Sequence, residues 1–415
     1  MSVMDPQNEP FERAKQDFFA GLDALKAQRL PEAEQHFCNA LELVPGRPSV
    51  LVNRAAVLLL LGRPDEALAD ADAVLLQAPD DVDALFHRGT ALGRLGRLPA
   101  ALAAFERLVA IDPRHVEGRR RHAQTTVALA GQAGSGGRLA DAADAYRVLL
   151  QLQPESAADW SAYGTVLREL RRPQEAAEAF RAALRHGGDD PLDRFYLAAT
   201  AGTGGPAAPP RQYVRALFDD YADDFEGHLL GQLGYAAHVE LTEPLAVIAP
   251  VPRRATLDLG CGTGLCGPLL RAGTSRLVGV DLSPRMLEKA RSLQLYDALA
   301  EADLVEHLGS TSERFDLVVA ADVFIYVGDL DPVFAGVRRV LHAGGVFCFS
   351  VEAADAGEEG FRLLPSLRYA HSQAYVRRLA AAHGLEVLAL RQRPIRREQA
   401  GVIDGVYVYL RRASA

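Results

Sequence analysis

The chain has 415 residues, 49% of them hydrophobic and 24% charged, an ordinary globular mix long enough for two or three domains. A net charge of −9 argues against a general nucleic-acid surface, and the clusters Arg119–Arg121 and Arg391–Arg397 read as solvated faces. The longest apolar run, near Ala55–Leu61, is far short of the ~20 residues of a membrane helix, no apolar leader opens the chain, and four scattered cysteines without CxxC spacing suit a reducing cytoplasm and offer no metal site.

From residue 14 to 187 the chain repeats itself. Ala33, Ala67, Ala101, Ala142 and Ala176 recur at spacings of 34, 34, 41 and 34. Each opens a small-residue helix, and four residues on stand Phe37, Ala71, Phe105, Tyr146 and Phe180. Pro45, Pro79, Pro113 and Pro154 close the first four units, because proline cannot continue a helix. Gly21, Ala55, Gly89 and Gly164 leave room for a partner helix to come close. No heptad is sustained, which excludes a coiled coil. The pattern resembles the tetratricopeptide repeat, a helix–turn–helix unit of 34 residues. The fifth unit carries the fullest match, with Trp160, Gly164, Ala176, Phe180 and Ala183. The fourth has 7 extra residues in AGQAGSGGRL, expected to form a surface loop. Such an array implies an α-solenoid, whose concave face binds a peptide or protein partner; the alternative is that it supports the fold or makes a homodimer. Asp190–Gly202 reads as a capping helix, which places the solenoid at 1–200. Gly- and Pro-rich residues 201–212 form the linker to a second domain at 213–415.

That domain opens with the amphipathic stretch Tyr213–Leu229. Strand ATLDLG then runs into Asp258, Gly260, Gly262 and Gly264, and strand RLVGVD ends at Asp281, 17 residues past Gly264. Both strands are continuous apolar runs, as in a parallel sheet buried on both faces. Glycines at the turn let the backbone bend sharply and approach a ligand. A carboxylate at the end of the second strand reaches ribose hydroxyls. Ser283 and Pro284 signal a helix start. The segment Phe315–Tyr326 holds a fourth strand that ends at Asp322, LDPVFAGVRRVLHAGG is a helix, Gly345–Glu352 a fifth strand, and LEVLALRQR with VYVYLRR a terminal hairpin. A rival reading takes Gly262, Gly264 and Gly267 as GxGxxG, the dinucleotide fingerprint. Asp258 would repel a pyrophosphate on that loop but attract a ligand carrying an ammonium and a sulfonium.

Over residues 213–412 the chain resembles the class I S-adenosylmethionine (SAM)-dependent methyltransferases. The resemblance implies a doubly wound α/β, Rossmann-like fold and SAM as cofactor. It implies that Asp258, Gly260, Cys261, Gly262 and Gly264 form the first motif, and that Asp281 and Leu282 meet the ribose. Ala302 and Asp303 would meet the adenine, and Asp322 and Val323 would line the methyl-donor pocket. Tyr221, Phe225 and His228 would face the cofactor from a lid, or else belong to an ordinary packing helix.

Methyl transfer needs alignment and exclusion of water, and a base only where the acceptor is neutral and weakly acidic. Candidates on the side of the unidentified methyl acceptor are Asp322, Tyr326, Glu352, Arg368, Tyr369 and His371. Arg368 would hold an acceptor carboxylate, and His371 would act as base or merely precede the Ser372 cap. Asp322-Val-Phe-Ile departs from the [DN]-P-P-[FY] sequence of enzymes that methylate planar amino groups, which argues against DNA. Two functions stay open: a methyltransferase acting on a small molecule or protein, or a repeat scaffold whose SAM-binding domain has lost catalysis.

Overall fold

The computed structural model describes residues 9–415 except 134–135, 189, 203, 224–226, 228–230, 232–233, 250, 356, 399–400 and 414–415. The chain forms two compact units, Met1–Gly188 and Asp189–Ala415.

Among the described residues the first unit is built of paired helices: α1 (Glu9–Lys26) with α2 (Leu30–Leu43), α3 (Pro48–Leu60) with α4 (Pro64–Gln77), α5 (Val82–Arg94) with α6 (Leu98–Ile111), α7 (Val116–Ala133) with α8 (Gly136–Leu152), and α9 (Ala157–Glu169) with α10 (Pro173–Arg185). The helices that precede Pro45, Pro79, Pro113 and Pro154 each end two residues earlier, because proline disfavours helical backbone in the residue before it. Phe37, Phe105 and Phe180 are fully buried. Their rings lie where a Cβ on Gly21, Gly89 or Gly164 would come within 2.6, 2.7 and 2.8 Å, so only glycine admits them. In the fourth unit α7 and α8 run to 18 and 17 residues, so most of the expected loop is helical, and residues 134–135 of it lie outside the described residues. Among the described residues no helix is long and apolar enough to cross a membrane.

The second unit starts earlier than the sequence suggests. Helix α11 (Pro191–Ala201), expected to cap the solenoid, groups with this second unit. Phe195 is fully buried there, its ring 5.5 Å from Tyr213 and 6.4 Å from Tyr369. The expected linker is also fitted onto this unit. The Pro206 carbonyl accepts from the Tyr369 hydroxyl at 2.7 Å, and the Ala207 carbonyl accepts from Gly328 N and Asp329 N at 2.8 and 2.9 Å.

After α12 (Arg211–Tyr221), α13 (Ala237–Thr242) and α14 (Leu245–Ile248), strands alternate with helices: β1 (Arg253–Leu259), α15 (Gly267–Arg271), β2 (Thr274–Asp281), α16 (Pro284–Ser292), β3 (Ala298–Glu301), α17 (Leu304–Ser310), β4 (Phe315–Ala320), α18 (Asp331–Val340) and β5 (Leu341–Ala353). The central order is β3-β2-β1-β4-β5, all parallel. The direction of winding reverses between β1 and β4, and there the carboxyl ends of the strands leave a crevice. Helix α18 ends at Val340, short of the glycines that were expected to terminate it. His342–Gly345 are taken up by a register shift of β5 against β4. Beyond β5 lie β6 (Phe361–Leu363), β7 (Tyr369–His371), α19 (Gln373–Ala382), β8 (Leu385–Glu398) and β9 (Gly401–Arg412). Strand β9 pairs antiparallel with β5, and β8 with β9, so the hairpin is longer than its two apolar runs. Apolar side chains fill both faces of the sheet, with Phe324, Phe334, Phe347 and Phe349 in one cluster and Leu317, Val319, Tyr407 and Tyr409 in the other.

Candidate active site

A cavity of about 610 Å³ opens at this crevice, within the size range of small-molecule sites. The turn after β1 forms its floor. Gly260, Gly262 and Gly264 have φ of +64, +54 and +95°, a region closed to most residues with a Cβ. A Cβ on Gly260 would come within 2.5 Å of Val323, whereas one on Gly262 would meet nothing within 4 Å and would project into open space at the cavity wall. The turn is held by Asp281, whose Oδ2 accepts from Gly262 N at 2.9 Å and whose Oδ1 accepts from Ser283 N at 2.9 Å. Ser283 caps α16 as its sequence suggests, with Oγ accepting from Met286 N. Thr263 lines the cavity, and its Oγ1 is buried without a hydrogen-bond partner among the described residues.

Cys261, Leu282, Ala302, Asp303, Asp322, Val323 and Tyr221 line the cavity together with Asp258, Gly260, Gly262 and Asp281. Gly264 does not. It lets the turn pack on Leu293 and Tyr296. Tyr221 is 43% exposed at the end of α12, while Phe225 and His228 lie outside the described residues. Helix α12 also lines the cavity through Val214, Leu217 and Phe218. Ion pairs fasten it and the turn after it: Arg211 to Glu306 at 2.7 Å and to Asp303 at 3.5 Å, and, beyond the helix end, Arg285 to Asp223 at 2.5 Å. Ser283 Oγ donates to Asp219 at 2.5 Å.

Asp258 is 1% exposed and accepts a 2.7 Å hydrogen bond from the Tyr296 hydroxyl. Burial pushes its pKa up to about 7; the Tyr296 bond works against that and the Asp281 charge adds to it. A cation in the cavity would favour the ionised form.

At the far end of β4 lies a buried charge cluster. Arg396, taken as part of a solvated arginine cluster, is 3% exposed. Its Nη1 meets Asp322 Oδ2 at 3.0 Å and its Nη2 meets Glu352 Oε2 at 3.0 Å. Burial raises the Glu352 pKa despite the attraction of Arg396. Asp322 has φ +58°, and its N–H donates to Ser350 Oγ at 2.8 Å. A non-glycine residue in left-handed backbone is strained, and such strain gathers at functional sites. Half-buried Arg368 faces the cavity beside Tyr326.

Two of the candidate catalytic residues stand elsewhere. His371 is fully buried, and its ring lies 6.1 Å from Phe361 and 6.0 Å from Tyr375. Its Nε2 lies 2.9 Å from the Gly328 carbonyl. Burial lowers its pKa to about 4, and it does not line the cavity, so its geometry is that of a packed core histidine. Tyr369 is buried too and spends its hydroxyl on Pro206. The sequence reading missed Tyr235, His238 and Arg396 in the lining and Tyr296 behind Asp258.

A methyltransferase-domain family model matches residues 257–349, and a tetratricopeptide-repeat model matches residues 20–75, 61–115 and 128–191. The chain therefore carries a methyltransferase domain and tetratricopeptide repeats. Malonyl-[acyl-carrier protein] O-methyltransferase of Hamiltonella defensa is 33% identical over 115 residues, 28% of this chain and 44% of that protein. The Enterobacter lignolyticus protein of the same name is 33% identical over 167 residues, 39% of this chain and 60% of that one. The chain thus spans about half the length of these curated relatives. Among solved structures, magnesium protoporphyrin IX methyltransferase from Synechocystis PCC 6803 with bound S-adenosylhomocysteine (SAH) has a TM-score of 0.39 and 16% identity, over 49% of this chain and 99% of that one.

Proposed function

We propose that this chain, a methyltransferase domain preceded by tetratricopeptide repeats, transfers a methyl group from SAM to a small-molecule or protein acceptor. The observation that carries the reading is the floor of the cavity, where Gly262 opens onto free space, Asp281 braces the turn and buried Asp258 stands close by. SAM, when bound, supplies a methyl group on a sulfonium, already an excellent leaving group. Asp281 would hold the ribose hydroxyls, Ala302 and Asp303 the adenine, and Asp258 the positive charge of the amino-acid portion. The chain's further task is to align the acceptor and exclude water. Apolar Leu217, Phe218 and Val323 serve the second need at the cavity wall. Asp258 disfavours a dinucleotide, whose pyrophosphate it would repel. The names of the relatives support oxygen as the accepting atom.

The intact turn and Asp281 favour an active enzyme over a scaffold. On this reading the repeats present a concave face to a peptide or protein, the alternative being a homodimer contact. Four free cysteines fit a reducing cytoplasm. The test is to incubate methyl-labelled SAM with lysate of cells lacking this chain, adding the wild type or Asp281→Ala. Label that appears only with the wild type supports transfer. Label no higher with the wild type than in lysate without added chain removes it.

A further inference from the structure

His238, on the short helix α13, lines the same cavity as Asp258, Gly260 and Asp322. Its ring stacks on that of buried Tyr235, with centroids 5.5 Å and planes 9° apart, so a neighbour holds its orientation. The helix itself is anchored, because the Tyr409 hydroxyl lies 3.2 and 3.1 Å from the Glu240 and Leu241 carbonyls and Ala236 N donates to the Ile395 carbonyl at 3.3 Å. The imidazole Nδ1 is shielded from solvent and has no hydrogen-bond partner among the described residues. With no accessible surface, Nδ1 does not touch the open cavity, which leaves Nε2 as the ring nitrogen able to meet a molecule there. Burial lowers the His238 pKa, with no charged group contributing, so the ring is neutral at pH 7.

The other cavity groups are committed elsewhere: on the methyl-transfer reading Asp258, Asp281 and Asp303 serve the cofactor. Asp322 is held by Arg396. The Tyr235 and Tyr326 hydroxyls are pushed above their ordinary value by burial and keep their own protons. His371 lies outside the cavity.

We propose that His238 is a catalytic residue of the methyl transfer and takes the proton of an un-ionised hydroxyl, which makes the acceptor an alcohol or phenol and not a carboxylate. The inference rests on the methyl-transfer reading above. In the step, an oxygen lone pair forms the new oxygen–methyl bond and the methyl–sulfur bond breaks with its pair left on sulfur. The hydroxyl proton moves to the imidazole, which later returns it to water. A carboxylate acceptor is already ionised at pH 7 and has no proton to give.

The test uses the full chain, methyl-labelled SAM and the same lysate, with SAH affinity measured separately by calorimetry. Mild alkali sorts the product, since methyl esters release volatile methanol and methyl ethers do not. The expected result is alkali-stable label with the wild type, a rate lower by roughly 10²–10⁴-fold in His238→Ala and His238→Gln, and unchanged SAH affinity in both. Free imidazole should restore part of the rate to His238→Ala, which a purely structural histidine would not allow. Volatile methanol from the wild-type product, or a wild-type rate in the variants, overturns the proposal while methyl transfer stands. A chain that binds SAH yet labels nothing removes the transfer reading and this proposal with it.

Discussion

Replacing Arg396 by methionine should cost the second unit about 3–5 kcal/mol, the usual penalty for breaking a buried ion pair from one side. The structure gives a second route to the same size. Arg396 makes charge-assisted contacts to two carboxylates, each 3.0 Å away, and such bonds contribute about 1.5–3 kcal/mol apiece. Methionine fills much of the volume, so the loss is electrostatic and should depend on pH. Without the guanidinium, the folded-state pKa of Glu352, already raised by burial, rises further above its unfolded value near ~4, and Asp322 loses the same attraction. A carboxyl raised in this way is harmless below its unfolded pKa and destabilises progressively as pH climbs through the folded one. The deficit should therefore be largest above neutrality and shrink toward pH ~4–5. Urea unfolding followed by near-ultraviolet tyrosine signal at both ends of that range measures it. Trp160, the sole tryptophan, lies in the repeats and should report no change. Asp322→Asn and Glu352→Gln added to Arg396→Met should recover most of the loss. A deficit below ~1 kcal/mol, or one equal at both pH values, would refute a buried charge cluster here.

Asp258→Asn should stabilise the ligand-free chain above neutrality, by up to roughly 4 kcal/mol for a carboxyl raised to about 7. The sign follows from a folded pKa above the unfolded one: wild-type stability is fully present below pH ~4 and is lost as pH rises through 7. Melting temperatures across that range check it, and parallel wild-type and variant curves would contradict it. A fragment starting at Asp189 should fold and bind SAH. One starting at Tyr213 should melt lower, since it lacks Phe195 and the Pro206 and Ala207 carbonyls; thermal unfolding of both decides this. Gly164→Ala sets a Cβ 2.8 Å from the buried Phe180 ring and should destabilise the repeats by about 1–3 kcal/mol, read from Trp160 fluorescence.

The repeats were legible because glycine and phenylalanine recur where helices touch, a purely local requirement. The floor of the cavity was legible for a similar reason, since Gly260, Gly262 and Asp281 sit on consecutive strand ends. Arg396 was not. Strand alternation would place Ile395 and Arg396 on opposite faces, yet both are buried. A register shift between Pro394 and Arg396 turns the chain there, and Ile395 packs where a Cβ on Gly405 would lie within 2.3 Å. Pro394 in RQRPIRRE marks an irregular strand, but nothing there tells which way the chain turns or that Arg396 is carried inward. His371 misled because Ser372 follows it as a true helix cap, while the residues that bury it, Phe361 and Tyr375, reach it through β6 and α19. The boundary near residue 200 was placed by composition, but the Gly- and Pro-rich stretch uses its carbonyls to bind the unit that follows.

The most direct test of the account is calorimetric titration of the full chain with SAH and, separately, with NAD. SAH should bind one site per chain and NAD should not. Asp281→Ala should weaken SAH at least tenfold, or ~1.4 kcal/mol, since a charged acceptor of sugar hydroxyls is lost, with circular dichroism unchanged. Undetectable SAH binding, or an Asp281→Ala variant that binds as tightly as the wild type, would contradict a SAM site at this cavity.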